Sequence, residues 1–272
     1  MLRSAAILYH PTRERALREA EWLAGVLRGH GVEVTSASAW DAEAVIQSCN
    51  FELAVVLGGD GSIIHVARLL APCETPLIGV NLGRVGFLAE LTPDRLRECI
   101  ADLVHGSYWI EERTMLDVEW RFDNTAQRFL ALNEVVVGRG LVPRAVQVET
   151  TLDGDTFITY TADAVLAATA TGSTAYSLAA GGPILHPESR EILLTPVAPH
   201  LHIGRSIVVP GTSEIVLTVA GDRPAIMSVD GTDEHPMEPG QSVQACRSDT
   251  VARFARMGPR TYFYQAIAAR LQ

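Results

Sequence analysis

Lysine is absent from this chain of 272 residues, and all 22 basic side chains are arginine. The absence excludes a Walker A phosphate-binding loop, because that loop ends in a lysine followed by serine or threonine. It also excludes the ATP site of protein kinases, which needs a strand lysine, and enzymes that use a lysine Schiff base. Any phosphoryl transfer by this chain must therefore rely on backbone amides, arginine and a metal ion.

Cysteines and long apolar runs are also scarce. The four cysteines, Cys49, Cys73, Cys99 and Cys246, lie far apart in the sequence without a C-x-x-C pair. This spacing predicts reduced thiols in a cytoplasmic protein and argues against a zinc site. No apolar run approaches the ~20 residues of a membrane span, and charges recur from Arg13 onward. We therefore expect no contact with a membrane and no secretory signal.

The overall composition is that of a folded acidic protein. Hydrophobic residues make up 47% of the chain, enough for the core of one large domain or two modest ones. The formal net charge of −10 disfavours nucleic acid as a partner, although local arginines can still bind anionic ligands.

The order of the segments indicates two domains. Residues 4–80 alternate strands with helices, which predicts an α/β domain with a parallel sheet. From residue 106 onward, short alternating segments bounded by turn signals predict a mostly β domain of sandwich type. We place these domains at residues 1–105 and 106–254, with the segment of about 255–272 as a candidate for packing back on the first domain. Single strands are expected at residues 129–137 and 242–246.

Residues 53–61 (L-A-V-V-L-G-G-D-G) are the first candidate for a functional site. The apolar start predicts a buried strand, and residues 62–70 follow with helical spacing. Gly58 and Gly59 allow a sharp turn, and the unpaired N–H groups of a helix start favour a phosphate. Asp60 lies inside this turn, where a carboxylate is repelled by phosphate unless it holds a metal or accepts a proton. We interpret Asp60 as catalytic; the alternative is an Asp that caps the helix.

Two further polar positions interrupt apolar strands. Asn133 and Glu134 lie in the middle of the expected strand, and such a pair can bind ribose hydroxyls or adenine edges. The alternative is a bulge at a strand edge. Asp163 similarly stands directly before an apolar run.

Residues 169–183 form the third candidate segment. Hydroxyl side chains, glycines and Tyr176 are concentrated there. Such a turn offers amides, hydroxyls and an aromatic face to a nucleotide. The alternative is a Ser/Thr-rich loop that caps a helix.

Together these segments resemble the NAD kinases, the ATP-dependent kinases that act on the 2′-hydroxyl of NAD. The resemblance covers nearly the whole chain in the right order. Its blocks are G-G-D-G at 58–61, N-L-G-R-V-G-F-L at 81–88, A-L-N-E at 131–134, T-G-S-T-A-Y at 171–176, A-G-G-P at 180–183, T-P-V-A-P-H at 195–200, Arg205 with V-V-P at 208–210, and D-G at 230–231. The first block is weakly specific, since phosphofructokinases and diacylglycerol kinases share it. The T-G-S-T-A-Y block followed by A-G-G-P is highly specific.

The resemblance implies a fold and a reaction. The fold would be a phosphofructokinase-like α/β domain followed by a β-sandwich, with the active site between them. The reaction would transfer the γ-phosphate of ATP to the 2′-hydroxyl of the adenosine ribose of NAD, giving NADP and ADP. The cofactor would be Mg²⁺ or another divalent cation, without dedicated protein ligands. Members are homo-oligomers, commonly dimers or tetramers, and Ala198 matches a position that can reach the NAD of a neighbouring subunit.

The resemblance also implies roles for individual residues. Asp60 would accept the proton of the ribose hydroxyl, Tyr176 would stack, and Asp163 would lie towards the nicotinamide. ATP or phosphate contacts fall on Gly58, Gly59, Gly61 and Arg84. NAD contacts fall on Asp60, Gly61, His65, Phe87, Asn133, Glu134, Arg144, Asp163, Thr171, Thr174, Ala175, Tyr176, Ala179, Ala198 and Thr232.

Six positions depart from the family pattern, without involving the expected base. They are His65, Ala164, Ala168, Ala170, Ala179 and Thr232. Several are NAD contacts, so the departures bear on affinity and on the choice between NAD and NADH. Two rival functions stay open: a lipid or sphingoid kinase with the same glycine turn, and a non-catalytic NAD(H) sensor. The acidic charge and the lack of a basic amphipathic helix disfavour the first, and the intact Asp60 disfavours the second.

Overall fold

The computed structural model describes residues 1–83, 86–122, 125–140, 144–200 and 204–271. The chain separates into two compact units. The first consists of Met1–Glu112 and Val251–Gln272, and the second of Arg113–Thr250. The domain bounds expected from the sequence stay a prediction.

Helices and strands alternate in the first part of the chain, and strands dominate afterwards. The helices are α1 (Glu14–Gly29), α2 (Ala42–Ile46), α3 (Asp60–Leu70), α4 (Pro93–His105), α5 (Tyr176–Ala179) and α6 (Tyr262–Leu271). The strands are β1 (Ser4–Tyr9), β2 (Glu33–Ser38), β3 (Leu53–Gly58), β4 (Leu77–Asn81), β5 (Trp109–Phe122), β6 (Thr125–Ala131), β7 (Glu134–Arg139), β8 (Val146–Leu152), β9 (Asp155–Ala162), β10 (Ala164–Ala168), β11 (Ile192–Val197), β12 (Ile207–Val209), β13 (Ile215–Ala220), β14 (Ala225–Val229), β15 (Asp233–Met237) and β16 (Ser242–Arg256). Within the described ranges, none of these helices combines the length and apolar character needed to cross a membrane.

The first unit is built on parallel strands. Strand β1 pairs with β2 and β3, β3 pairs with β4, and the end of β16 pairs with β4 through Phe254 and Leu77. Helices α1, α2 and α3 connect successive strands, as parallel pairing requires. Strand β3 is buried along its whole length, as expected for a strand covered on both faces. The predicted α/β fold is confirmed, and the ends of β3 and β4 lie at the same edge of the sheet.

The second unit is a sandwich of antiparallel strands. One sheet has the order β12-β11-β10-β7-β14-β15. Facing it, β16 pairs with β13, β13 with β8, and β8 with β9, while β5 pairs with β6. A single apolar core includes residues of both sheets, such as Val148 and Leu217 from one and Val135 and Leu194 from the other. The predicted mostly β sandwich is therefore confirmed.

Two strand predictions need correction, and two further strands were not predicted. The strand expected at residues 129–137 is two strands, because the chain breaks its ladder at Leu132 and Asn133, whose N–H groups bind Asp230. Strand β16 continues ten residues beyond the expected end at Cys246, to Arg256. Strands β11 and β15 lie where the sequence pattern predicts none; each contains a proline, Pro196 or Pro236, and proline is a poor strand residue.

The prediction of reduced thiols is wrong for one pair of cysteines. Cys49 and Cys73 form a disulfide with a Cα–Cα distance of 5.2 Å. Their separation of 24 residues does not separate them in space, because α2 and α3 pack together and each cysteine follows one of these helices. Cys99 and Cys246 are free thiols.

Candidate functional site

The turn after β3 places Asp60 at the first position of α3. Gly59 is the N-cap residue, and it makes no side-chain cap, so Asp60 does not occupy the capping position. The alternative interpretation, in which Asp60 caps the helix, is therefore wrong, while its catalytic role stays a prediction. Gly58 is required by close packing, because a Cβ there would lie 2.7 Å from both Cβ and Oγ of Ser62.

The loop after β4 contacts the Asp60 carboxylate. The backbone N–H of Phe87 donates a 2.9 Å hydrogen bond to Oδ2 of Asp60. Gly86 lies so close that a Cβ there would stand 1.9 Å from Oδ1. This second oxygen is buried and accepts no hydrogen bond from the described residues. The carboxylate is thus held through Oδ2, and Oδ1 has no partner within the described part of the chain.

The other predicted residues of the first unit lie near the same turn or outside the described ranges. Gly61 is exposed in the first turn of α3. His65 is half-buried on α3, and its ring packs at a tilt of 42° against that of Trp40, with a centroid distance of 4.4 Å. Arg84, the expected phosphate ligand, lies outside the described residues, so its role stays a prediction.

In the second unit, a carboxylate holds the Asn133–Glu134 turn. Oδ1 of Asp230 accepts hydrogen bonds from the N–H groups of Asn133 and Glu134 at 2.7 and 3.1 Å, and Oδ2 accepts that of Leu132 at 2.8 Å. Asp230 is buried and has a positive φ of 51°. The buried Asp therefore supplies the acceptors that the interrupted strand ladder lacks.

The structure brings this turn together with the T-G-S-T-A-Y segment. The carbonyl of Asn133 accepts the N–H of Thr169 at 2.8 Å. Gly172 packs against the same carbonyl, where a Cβ would stand 2.2 Å from the oxygen. The N–H of Tyr176 donates to the carboxyl group of Glu134. Thr171, Thr174, Ala175 and Tyr176 are therefore neighbours of Asn133 and Glu134, and Tyr176 is 41% exposed, which leaves a ring face for stacking.

Glu134 has an unusual protonation equilibrium. Its pKa is raised from the ordinary 4.5 to about 8, mainly by burial and also by the charge of Asp230, while the hydrogen bond from the N–H of Tyr176 acts in the opposite direction. Its Oε2 is buried and has no hydrogen-bond partner among the described residues. At neutral pH the group is therefore mostly a neutral acid, which can both donate and accept a hydrogen bond.

A third cluster lies at the beginning of β10. Asp163 forms an ion pair with Arg139, with 3.0 Å between Nε and Oδ1. Arg139 also lines a cavity of about 330 Å³ together with Arg144 and Arg223. Ala198 directly follows Val197, whose carbonyl accepts the N–H of Asp163 at 3.0 Å. The predicted residues Asp163 and Arg144 are thus both neighbours of Arg139, which the sequence did not single out, and Ala198 adjoins the backbone partner of Asp163.

Two predicted NAD contacts lie at the margins of these clusters. Thr232 is exposed in the turn after Asp230, and its N–H binds the carbonyl of Val229 at 3.1 Å. Ala179 is exposed at the end of α5. In the sequence, Asp230 stands out only as part of the D-G pair at 230–231, a turn signal and a block of the family resemblance, and its carboxylate has no expected role. Its position directly after an apolar strand, like that of Asp60, could have marked it as a side chain at a strand end.

The Asp60 turn and the group of Asn133, Glu134 and Tyr176 offer different chemistry. Asp60 lies at a helix start, with one oxygen held by a backbone N–H and the other without a partner among the residues that the structure describes, which suits a general base. Asn133, Glu134 and Tyr176 present an amide, a carboxyl group and an aromatic ring, which suit a nucleoside. Among the described residues, no group of three or more His, Cys, Asp or Glu side chains is arranged to hold a metal ion.

Comparison with known proteins identifies the family. Residues 41–108 match the family described as ATP-NAD kinase N-terminal domain, and residues 132–257 match the ATP-NAD kinase C-terminal domain. An NAD kinase of Dehalococcoides mccartyi (strain CBDB1) is 38% identical over 275 residues, covering 100% of this chain and 97% of the relative. An NAD kinase of Chloroflexus aurantiacus is 36% identical over 276 residues, covering 100% and 99%.

Solved structures agree with this result. The NAD kinase from Archaeoglobus fulgidus in complex with ATP has 25% sequence identity and a TM-score of 0.79, over 97% of each chain. The yeast NADH kinase complexed with NADH has a TM-score of 0.88 over 98% of this chain and 86% of its own. At 23% identity the yeast enzyme shows the fold alone. By its sequence matches over the full chain, this protein belongs to the NAD kinase family.

Proposed function

We propose that this protein is an NAD kinase, which transfers the γ-phosphate of ATP to the 2′-hydroxyl of the adenosine ribose of NAD and forms NADP and ADP. The observation that carries the proposal is the arrangement of Asp60 in a chain of this family. Its Oδ2 is held by the Phe87 N–H, and its buried Oδ1 has no partner among the described residues.

Asp60 acts as the general base in this proposal. A ribose hydroxyl is a weak nucleophile at neutral pH, and a positioned carboxylate assists by accepting its proton as the oxygen attacks phosphorus. The hydrogen bond from Phe87 restrains the carboxylate through Oδ2, which leaves Oδ1, without a partner in the described ranges, to accept the proton. The proton moves from the 2′-oxygen to Asp60, and ADP leaves with the electrons of the broken P–O bond.

The second unit binds the adenosine part of NAD in this proposal. Asn133 and neutral Glu134 bind the ribose hydroxyls or the adenine edge, Thr171 and Thr174 lie on the adenine side, and the exposed ring of Tyr176 stacks. Support comes from the hydrogen bonds that hold Asn133, Glu134 and Tyr176 next to one another. Asp163 lies towards the nicotinamide, and its ion pair with Arg139 orients it.

ATP brings a divalent cation, Mg²⁺ or a similar ion, in this proposal. The described residues offer no cluster of three ligands, so the oxygens for the ion come mainly from the ATP phosphates, as Mg²⁺ prefers. When bound, the ion neutralises charge that develops on the transferred group. The protein adds the backbone N–H groups of Gly59, Gly61 and the rest of the α3 start.

We also propose a cytoplasmic homo-oligomer, a dimer or tetramer in which Ala198 of one subunit approaches the NAD of another. A cytoplasmic location supplies both NAD and ATP. The exposed position of Ala198 leaves it accessible to a neighbouring subunit.

A coupled assay tests the reaction. Purified protein is mixed with NAD, ATP and Mg²⁺, and NADP is measured through an NADP-specific dehydrogenase, with polyphosphate and NADH as alternative substrates. We expect NADP only when NAD, donor and divalent ion are all present, and ³¹P NMR should place the new phosphate on the 2′-oxygen. Phosphorylation of a sphingoid base instead would support a lipid kinase. NAD binding without any product would support the sensor function.

A further inference from the structure

A buried arginine lies behind the loop that contacts Asp60. The guanidinium group of Arg256, at the end of β16, is 1% exposed and donates to Oε2 of Glu90 and Oε1 of Glu111, each at 3.0 Å. It also donates to the carbonyl of Leu88 at 3.1 Å. Both carboxylates are themselves buried, with exposed fractions of 7% and 2%.

Glu90 also connects the loop to the residues that directly follow Arg256. Its Oε1 accepts the N–H groups of Met257 and Gly258 at 2.9 and 2.7 Å. Its own N–H binds the carbonyl of Gly79 in β4 at 2.9 Å. The end of the loop is therefore attached on one side to β4 and on the other to residues 256–258.

The loop residue that Arg256 binds is next in sequence to the residue that binds Asp60. Phe87 precedes Leu88, whose carbonyl binds Arg256, and the Phe87 N–H donates to Asp60. Gly86 leaves no space for a Cβ against the Asp60 carboxylate. A shift of Leu88 therefore moves the donor that orients Asp60, with little room for compensation.

Stabilisation of the fold is a weak explanation for the buried cluster of Arg256, Glu90 and Glu111. Replacing a buried ion network with apolar side chains of similar volume is often neutral or stabilising, because ion burial costs desolvation energy. A guanidinium group with several rigid donors can, however, hold a carbonyl and two carboxylates in one fixed geometry. The cluster thus holds the loop next to Asp60 in one fixed position.

We propose that Arg256, together with Glu90, is a positioning residue for the phosphoryl-transfer step. It holds the loop of residues 86–90 so that Phe87 orients the Asp60 carboxylate. The inference rests on the proposed function, because it assigns Asp60 the role of general base. Arg256 itself does not contact the reacting atoms in this account.

The variants Arg256→Met, Arg256→Lys and Glu90→Gln test the proposal, with Arg253→Met as the matched control. Arg253 lies on the same strand and also pairs with two carboxylates, Glu74 and Glu112, but not with the loop. In Arg256→Met we expect kcat to fall about 10–100-fold, as for a misplacement near 1 Å, with unchanged KM for NAD and ATP. Arg256→Lys should recover part of the loss, and the control should keep the wild-type kcat.

A double-mutant cycle separates positioning from general loosening. If Arg256 and Glu90 act through one loop, Arg256→Met combined with Glu90→Gln should lose little more kcat than the worse single variant. An unchanged kcat in folded Arg256→Met and in Glu90→Gln would overturn the proposal. A raised KM at unchanged kcat would overturn it as well. Glu90→Gln keeps the acceptor for residues 257 and 258, so it remains a test if the arginine variants fail to fold.

Hydrogen exchange of the peptide that contains Phe87 gives a readout independent of activity. We expect faster exchange in Arg256→Met and in Asp60→Ala, but not in Arg253→Met. If the wild type makes no NADP while this pattern is observed, the proposed function fails and the positioning of Asp60 stands. If the wild type makes NADP and exchange at Phe87 is unaffected by Arg256→Met, the positioning role fails and the function stands.

Discussion

Phe87 and Asp60 are 27 positions apart in sequence, yet the backbone N–H of Phe87 donates a 2.9 Å hydrogen bond to Oδ2 of Asp60. Asp60 begins the helix after β3, and Phe87 lies in the loop after β4. Because β3 and β4 are neighbours in a parallel sheet, the two segments meet at the same edge. The orientation of Asp60, the expected base, is therefore set by the loop that follows β4.

The contact of Gly86 with Asp60 predicts a large effect of one added methyl group. In Gly86→Ala the Cβ would stand 1.9 Å from Oδ1 of Asp60, so either the carboxylate or the loop must move. We expect kcat for NADP formation to fall about 100-fold, as for other small displacements of catalytic groups, with the fold retained. Steady-state kinetics and circular dichroism measure the two effects.

Gly29→Ala is the control for that variant, because a Cβ at Gly29 meets no atom within 4 Å. It should have the wild-type kcat. Full activity in Gly86→Ala would show that the loop does not hold Asp60 in its active orientation.

Glu134 predicts a pH dependence of stability. Its pKa is about 8 in the folded protein and near the ordinary 4.5 in the unfolded chain. The folded state therefore holds a proton that the unfolded chain releases, and this stability is full below pH 4.5 and is lost as pH rises through about 8. The contribution is about 3–5 kcal/mol at most.

Denaturant unfolding of wild type and Glu134→Gln between pH 5 and pH 9 measures this contribution. The amide variant cannot release the proton, so its free energy of unfolding should fall less over this range. Parallel curves for the two proteins would mean that Glu134 titrates normally.

The three hydrogen bonds to Asp230 predict a loss of NAD affinity when this side chain is removed. In Asp230→Ala the N–H groups of Leu132, Asn133 and Glu134 lose their acceptor, which costs about 1–3 kcal/mol for each buried group. The turn should rearrange, so the Kd for NAD in calorimetry should rise at least tenfold. Asp222→Ala, an exposed change before β14, is the control. Equal affinities would show that Asp230 does not hold the NAD-binding turn.

The disulfide predicts sensitivity to reductant. Cys49 and Cys73 close a loop with a separation of 24 residues, and opening such a loop costs about 3 kcal/mol in the chain-entropy treatment. Dithiothreitol should therefore lower the thermal unfolding temperature of the wild type. Cys49→Ser/Cys73→Ser should show the lower temperature with and without reductant, whereas Cys99→Ser/Cys246→Ser should respond like the wild type. No response in any protein would contradict the disulfide.

The elements around Asp60 could be predicted because their signals are consecutive. A fully apolar strand, two glycines and a helical pattern stand side by side in residues 53–70, and the structure has β3 and α3 there. The contact with Phe87 could not be predicted in the same way. It depends on which strands are neighbours, and this order is decided by packing of the whole unit.

The hydrogen bonds of the Asp230 carboxylate could not be predicted from the sequence for a related reason. An Asp-Gly pair after a strand indicates a tight turn, and the chain indeed has positive φ at both Asp230 and Gly231. The partners of its carboxylate are nearly a hundred residues earlier in the chain. The same limit applies to Cys49 and Cys73, whose proximity follows from the packing of α2 against α3.

The most direct test of the account is the turnover of Asp60→Asn, measured as NADP formation together with the Kd for NAD. The amide keeps the size of the side chain but cannot accept the proton, so we predict a kcat about 10²–10⁴-fold lower and an unchanged Kd. Asp94→Asn, an exposed Asp in the first turn of α4, should keep the wild-type kcat. Undiminished turnover in Asp60→Asn would contradict the account, because the 2′-hydroxyl would then lose its proton to another group.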